Sequence, residues 1–111
     1  MMTKTIISRS LWGTPLINKF KYDLEFLTMC ILERMIGSIQ LAMEDQNVNR
    51  KDLAKKIGRN ISYINKILDT NNMNTKVKDL CVLAHALNMF FETELVDIDG
   101  AFVYDPNLSS E

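Results

Sequence analysis

Gly58 stands four residues after Ala54 in the run NRKDLAKKIGRNISYINKIL, residues 49–68, and that spacing limits the fold more than any other feature of the chain. Two short helices that cross steeply, with three or four residues between them, make specific demands. They need a small side chain where the backbones approach, a residue tolerant of positive φ in the turn, and apolar side chains facing inward. Ala54 meets the first demand, Gly58 the second, and Leu53, Ile57, Ile64 and Ile67 the third. The window therefore predicts a helix-turn-helix. Asn49 is expected to cap a helix over 50–57, with Asp52 near its positive end, and Gly58 to stop it. Asn60 is expected to cap a second helix from Ile61 to about Leu68.

The flanks read mostly as helix. Thr14-Pro15 has the form of a helix start, and the pattern from Leu16 to about Gln46 is helical, with a break between Lys21 and Asp23 left open. Leu24, Leu27, Ile31, Leu32, Met35, Ile36, Ile39, Ala42 and Met43 recur at steps of three and four. Met29, Met35 and Met43 share helical spacing and are expected in the core. Asn47 is expected to close this helix in a left-handed conformation. Asn71, Asn72 and Asn74 predict a polar loop. Thr75 then starts a helix to Leu87 along Val77, Leu80, Cys81, Ala84 and Leu87, closed by Asn88.

Beyond Asn88 the period changes. Phe91, Thr93 and Leu95 alternate with Phe90, Glu92, Glu94 and Val96, which predicts a strand over 90–97. A lone strand needs a partner, either the β-prone Thr5–Ser8 of the N-terminal arm or the same strand of a second chain. The expected organisation is an arm over 1–13, a helical domain over 14–90, and a strand with an acidic tail over 91–111.

Charge is unevenly placed. Residues 1–49 are balanced. Residues 50–78 hold Arg50, Lys51, Lys55, Lys56, Arg59, Lys66, Lys76 and Lys78 against Asp52 and Asp69, and residues 79–111 hold seven acidic side chains and no Lys or Arg. Such polarity suits a protein with one face toward nucleic acid, and it also suits a solvated charged helix pair. The hydrophobic share of 47% is enough for one modest core. No apolar run approaches the roughly 18–20 residues of a membrane span, and Met1 to Arg9 lacks the pattern of a secretory signal. Cys30 and Cys81 sit among apolar residues without short spacing, so buried thiols in a reducing compartment are expected, and a cytoplasmic location with them. With a single histidine (His85, away from any cluster), no paired carboxylates and no Gly-rich phosphate loop, the sequence offers no catalytic, cofactor or metal site.

The run from Asn49 to Gly58, a cap followed by Leu-Ala and then Ile-Gly, resembles the XRE family of lambda-repressor-like helix-turn-helix proteins. The later segment KDLCVLAHALN at 78–88 resembles that family's Leu-x-x-Leu-Ala-x-Ala-Leu-Gly stretch, with Asn88 in place of Gly. A looser likeness is to HigA-type antitoxins, which also carry an extra preceding helix and a following strand. Where the family commonly pairs an Arg with a Glu, this chain has Met43 and Leu68. Replacing both members of a buried ion pair with apolar groups is often neutral, whereas losing one is costly. The loop after the second motif helix, Asp69-Thr70-Asn71, departs from the family's usual Gly.

The resemblance implies an all-α, five-helix lambda-repressor-like domain with a short C-terminal strand. It also implies a site. In this fold the second motif helix enters the major groove. Ile61, Ser62, Asn65 and Lys66 would then face the bases, and Arg50, Lys51, Lys55, Arg59, Asn60 and Tyr63 the phosphates. Asn65 can pair with adenine and Lys66 with guanine; Ile61 can meet a thymine methyl, or else turn inward or into a protein interface. The expected activity is a transcriptional regulator or repressor, bound to an inverted repeat of double-stranded DNA as a homodimer. An antitoxin with a toxin partner, and an interaction module without DNA binding, are the alternatives.

Overall fold

The computed structural model describes residues 3–6, 23–69, 74–96 and 102–105. These residues are mostly helical, with helices α1 (Leu24–Asp45), α2 (Arg50–Ile57), α3 (Ile61–Leu68) and α4 (Val77–Ala86). Three strands accompany them, β1 (Thr3–Ile6), β2 (Leu95–Val96) and β3 (Phe102–Asp105). The chain divides into two compact units, one running from Thr28 to Phe91 and the other containing the strands and the first turn of α1. The expected helix start at Thr14-Pro15 and the loop residues Asn71 and Asn72 lie outside the described residues.

In the helical unit, one backbone device ends three helices. A residue one or two positions past each helix adopts left-handed geometry: Asn47 with φ 58°, Gly58 with φ 70° and Asn88 with φ 59°. The next residue's N–H reaches five positions back, Val48 to the Met43 carbonyl at 2.8 Å, Arg59 to Ala54 at 3.0 Å, and Met89 to Ala84 at 2.9 Å. These are Schellman closures, which satisfy carbonyls that the last helical turn would leave unpaired. The starts are less uniform. Asn49 and Asp52 form a reciprocal capping box on α2, Asn60 caps α3, and Lys76 precedes α4 without a side-chain cap. At the head of α1, Asp23 Oδ1 accepts the Phe26 N–H at 3.0 Å.

The core joins Ile36, Ile39 and Met43 of α1, Leu53 and Ala54 of α2, Ile64, Ile67 and Leu68 of α3, and Leu80, Leu83 and Leu87 of the α4 region. Leu53, Ile64, Leu68, Leu80, Leu83 and Leu87 are fully buried, worth about 1.5–3 kcal/mol each in transfer from water. Met43 and Leu68 share this cluster, so the pair that replaces an ion pair in the resembled family is apolar and buried together. The Gln46 side-chain amide donates to the Leu87 carbonyl at 2.9 Å and ties the end of α1 to the end of α4.

Several expectations need correction. α4 begins at Val77, two residues after Thr75, and its buried face is Leu80, Leu83, Ala84 and Leu87; Val77 and Cys81 are exposed. The i, i+3, i+4, i+7 set that starts at Leu80 runs through Leu83, and Cys81 falls off that face. Cys30 is half-buried and also free, so neither thiol is a core residue. On α1 the expected stripe is buried only toward its C-terminal end. Leu24 is 79% exposed; within the helical unit Ile31 and Met29 are exposed as well, because α2, α3 and α4 cover only the later turns of α1. By length and composition α1 could cross a membrane, with a window of mean hydropathy 1.4, a property that a count of unbroken apolar residues overlooks. Its turns at Ile36, Ile39 and Met43 are core of the helical unit.

In the strand unit, the order is β1-β3-β2 and both pairings are antiparallel. Thr3 pairs with Asp105 and Ile6 with Phe102, while Leu95 pairs with Tyr104 and Val96 with Val103. The strand expected over 90–97 is reduced to Leu95–Val96. Within the chain its partner is β3, inside the segment expected as tail, and not the arm. The arm does contribute a strand, Thr3–Ile6, to the other edge of β3.

Candidate nucleic-acid interface

The turn at Gly58 decides which way α3 faces. With φ at 70°, the residue sits where an L side chain is strained, although a Cβ there would meet nothing within 4 Å. The requirement for glycine is thus backbone conformation, not space. Two residues on, the Asn60 side chain accepts the Tyr63 N–H at 3.1 Å and starts α3. Ile64, Ile67 and Leu68 then point into the core. That leaves Ser62 and Lys66 exposed, Asn65 half-buried, and Ile61 44% exposed. All four expected base-facing residues stand outside the buried core, and Ile61 does not turn into it.

The cations around α3 fall into two groups. Lys51 and Lys55 are exposed on α2. Arg59 is exposed in the turn and stacks over the Tyr63 ring, 4.2 Å from its centroid. Arg50 is different. One of its guanidinium nitrogens donates to Asn65 Oδ1 at 2.7 Å, and the same nitrogen lies 3.7 Å from an Asp69 carboxylate oxygen. Arg50 therefore joins the first turn of α2 to the last turns of α3. Lys56, also on α2, donates to the carbonyl of Ala86, the last residue of α4, at 3.2 Å.

Tyr63 is anchored as well. Its hydroxyl donates to Asp79 Oδ1 at 2.8 Å, which links α3 to the first turn of α4. Burial raises the phenol's pKa above its usual value, and the hydrogen bond and negative charge of Asp79 push the same way, against the lowering effect of Arg59. A raised folded-state pKa means the neutral phenol is favoured, so this link is complete below the usual phenol range and is lost only as pH climbs through the raised value. Of the six expected phosphate-facing residues, Lys51, Lys55, Arg59 and Asn60 are exposed, while the polar groups of Arg50 and Tyr63 are engaged within the chain.

Asp69 and Asp79 complete this arrangement, and the sequence reading gave neither a role. Their partners lie 19 and 16 positions away, and no local spacing rule spans such separations. No group of three or more His, Cys, Asp or Glu residues that could hold a metal occurs among the described residues. His85 is exposed on α4.

Residues 45–94 match a family model described as the KorB domain, a DNA-binding domain of a helix-turn-helix kind. The match takes in α2, α3 and α4 and covers under half of the chain. It points to DNA as the partner and to transcriptional regulation as the setting. No curated protein and no solved structure matches the chain.

Proposed function

We propose that this chain is a sequence-specific repressor of the lambda-repressor-like type that binds an inverted repeat in double-stranded DNA as a homodimer. The observation that carries the reading is the outer face of α3, where Ile61, Ser62, Asn65 and Lys66 stand clear of the core, with Lys51 and Lys55 exposed on α2 and Arg59 in the turn over the Tyr63 ring. A helix with this face suits the major groove, with Lys66 supplying N–H donors for guanine and Ile61 an apolar surface for a thymine methyl. Lys51, Lys55, Arg59 and Asn60 serve the phosphates and fix register. Two copies would place their α3 helices about one helical turn, ~34 Å, apart. The exposed Ile31 and Leu41 on α1 support that helix as the dimer surface, since apolar residues of this size call for cover.

The test is a gel-shift titration against a pool of random duplexes at about 50 and 200 mM salt. A protein that neutralises several phosphates should lose affinity by orders of magnitude across that range. Enrichment of a two-fold symmetric sequence from the pool supports the repressor reading. Absence of binding at the lower salt overturns it in favour of a protein-interaction module.

A further inference from the structure

We propose that Arg50 is a positioning residue for base reading: its guanidinium fixes the side-chain amide of Asn65, so that discrimination at one base pair depends on both residues. The proposal rests on the DNA-reading function above and assigns Arg50 a role within that site. Arg50 is the first residue of α2, and the half-buried Asn65 lies on α3, 15 positions later. Their bond is short, 2.7 Å, and charge-assisted on the donor side. Asp69, one helical turn beyond Asn65, flanks the same guanidinium nitrogen at 3.7 Å.

Two physical points favour positioning over a phosphate contact. A cation at a helix N-terminus opposes the macrodipole, so Arg50 is not placed there to stabilise α2. Its Oδ1 and carboxylate neighbours account for the placement instead. A free asparagine amide also rotates between two orientations that exchange its donor and acceptor ends, which present opposite patterns to a base edge. With Oδ1 held by Arg50, one orientation is selected, and the amide N–H pair is left to donate to a base acceptor. Asn65 then reads with a defined polarity.

The experiment compares wild type, Arg50→Met, Arg50→Gln, Asn65→Ala and the Arg50→Met/Asn65→Ala double variant. Met keeps the aliphatic stem of Arg50, and Gln supplies a second shorter replacement should Met perturb folding. Each protein is titrated against the selected operator, against operators changed at single base pairs, and against random duplex. The expected result is that both Arg50 variants lose roughly ten- to hundredfold discrimination at the base pair affected by Asn65→Ala. The double variant should discriminate no worse than either single one, and random-duplex affinity should stay within about twofold. Uniform loss on operator and random DNA, with a salt slope smaller by about one and additive effects in the double variant, would make Arg50 a phosphate contact and overturn the proposal while leaving the function intact. Failure of the wild type to bind any duplex would remove the function itself, and the proposal with it.

Discussion

The two junctions that flank α2 use the same three-residue device with opposite middle residues. Before α2 the run is Asn47-Val48-Asn49, and after it Gly58-Arg59-Asn60; each gives a left-handed residue, one connector and an asparagine cap. Val48 is half-buried and packs on the core, in the staple position relative to Leu53 four helical residues on. Arg59 holds the equivalent position before α3, and it points outward to stack on Tyr63. The backbone geometry is common to both junctions. What differs is the use: the first junction anchors α2 to the core, and the second sets a cation at the head of α3, the helix proposed to read DNA.

Substitutions at these positions can break that comparison. Gly58→Val forces a β-branched residue into left-handed geometry and should cost about 2 kcal/mol of stability, measured by denaturant unfolding. Val48→Ala should cost about 1 kcal/mol by removing methyl groups from the core edge, with DNA affinity per folded molecule unchanged. Gly58→Asn should cost about 0.5 kcal/mol or less, because Asn47 and Asn88 already hold the same conformation; a cost equal to that of Val would show that the second junction demands more than φ. Arg59→Ala should change stability by a similarly small amount, about 0.5 kcal/mol for an exposed cation–π contact, while lowering the salt dependence of DNA binding by about one. If Val48 and Arg59 traded these signatures, the structural and functional junctions would have been misassigned.

The legible parts of the molecule are those fixed by short-range rules. Asn49, Gly58 and Asn60 gave the bounds of α2 and α3, and the left-handed residues at Asn47 and Asn88 followed from helix-ending chemistry. Leu53, Ile64 and Ile67 were readable as core because helical periodicity places them on one side. Other features depended on what each element packs against. α1 has apolar residues all along its length, and periodicity could not say that Met29 and Ile31 would lie outside the cover of the other helices. Cys81 looked like core because it is apolar, although Leu83 takes the inward place. The strand at β2 pairs with Phe102–Asp105, a run too short to stand out by alternation. In the site, side-chain types were legible but their mutual bonds were not: Arg50 with Asn65 and Tyr63 with Asp79 are contacts between helices.

The most direct test of the account follows backbone amide signals during titration of isotope-labelled protein with the selected operator duplex. The account predicts the largest changes at Ser62, Asn65 and Lys66 of α3, with Arg59 in the turn close behind. Changes confined to α1, with those α3 signals unmoved at saturating DNA, would contradict it.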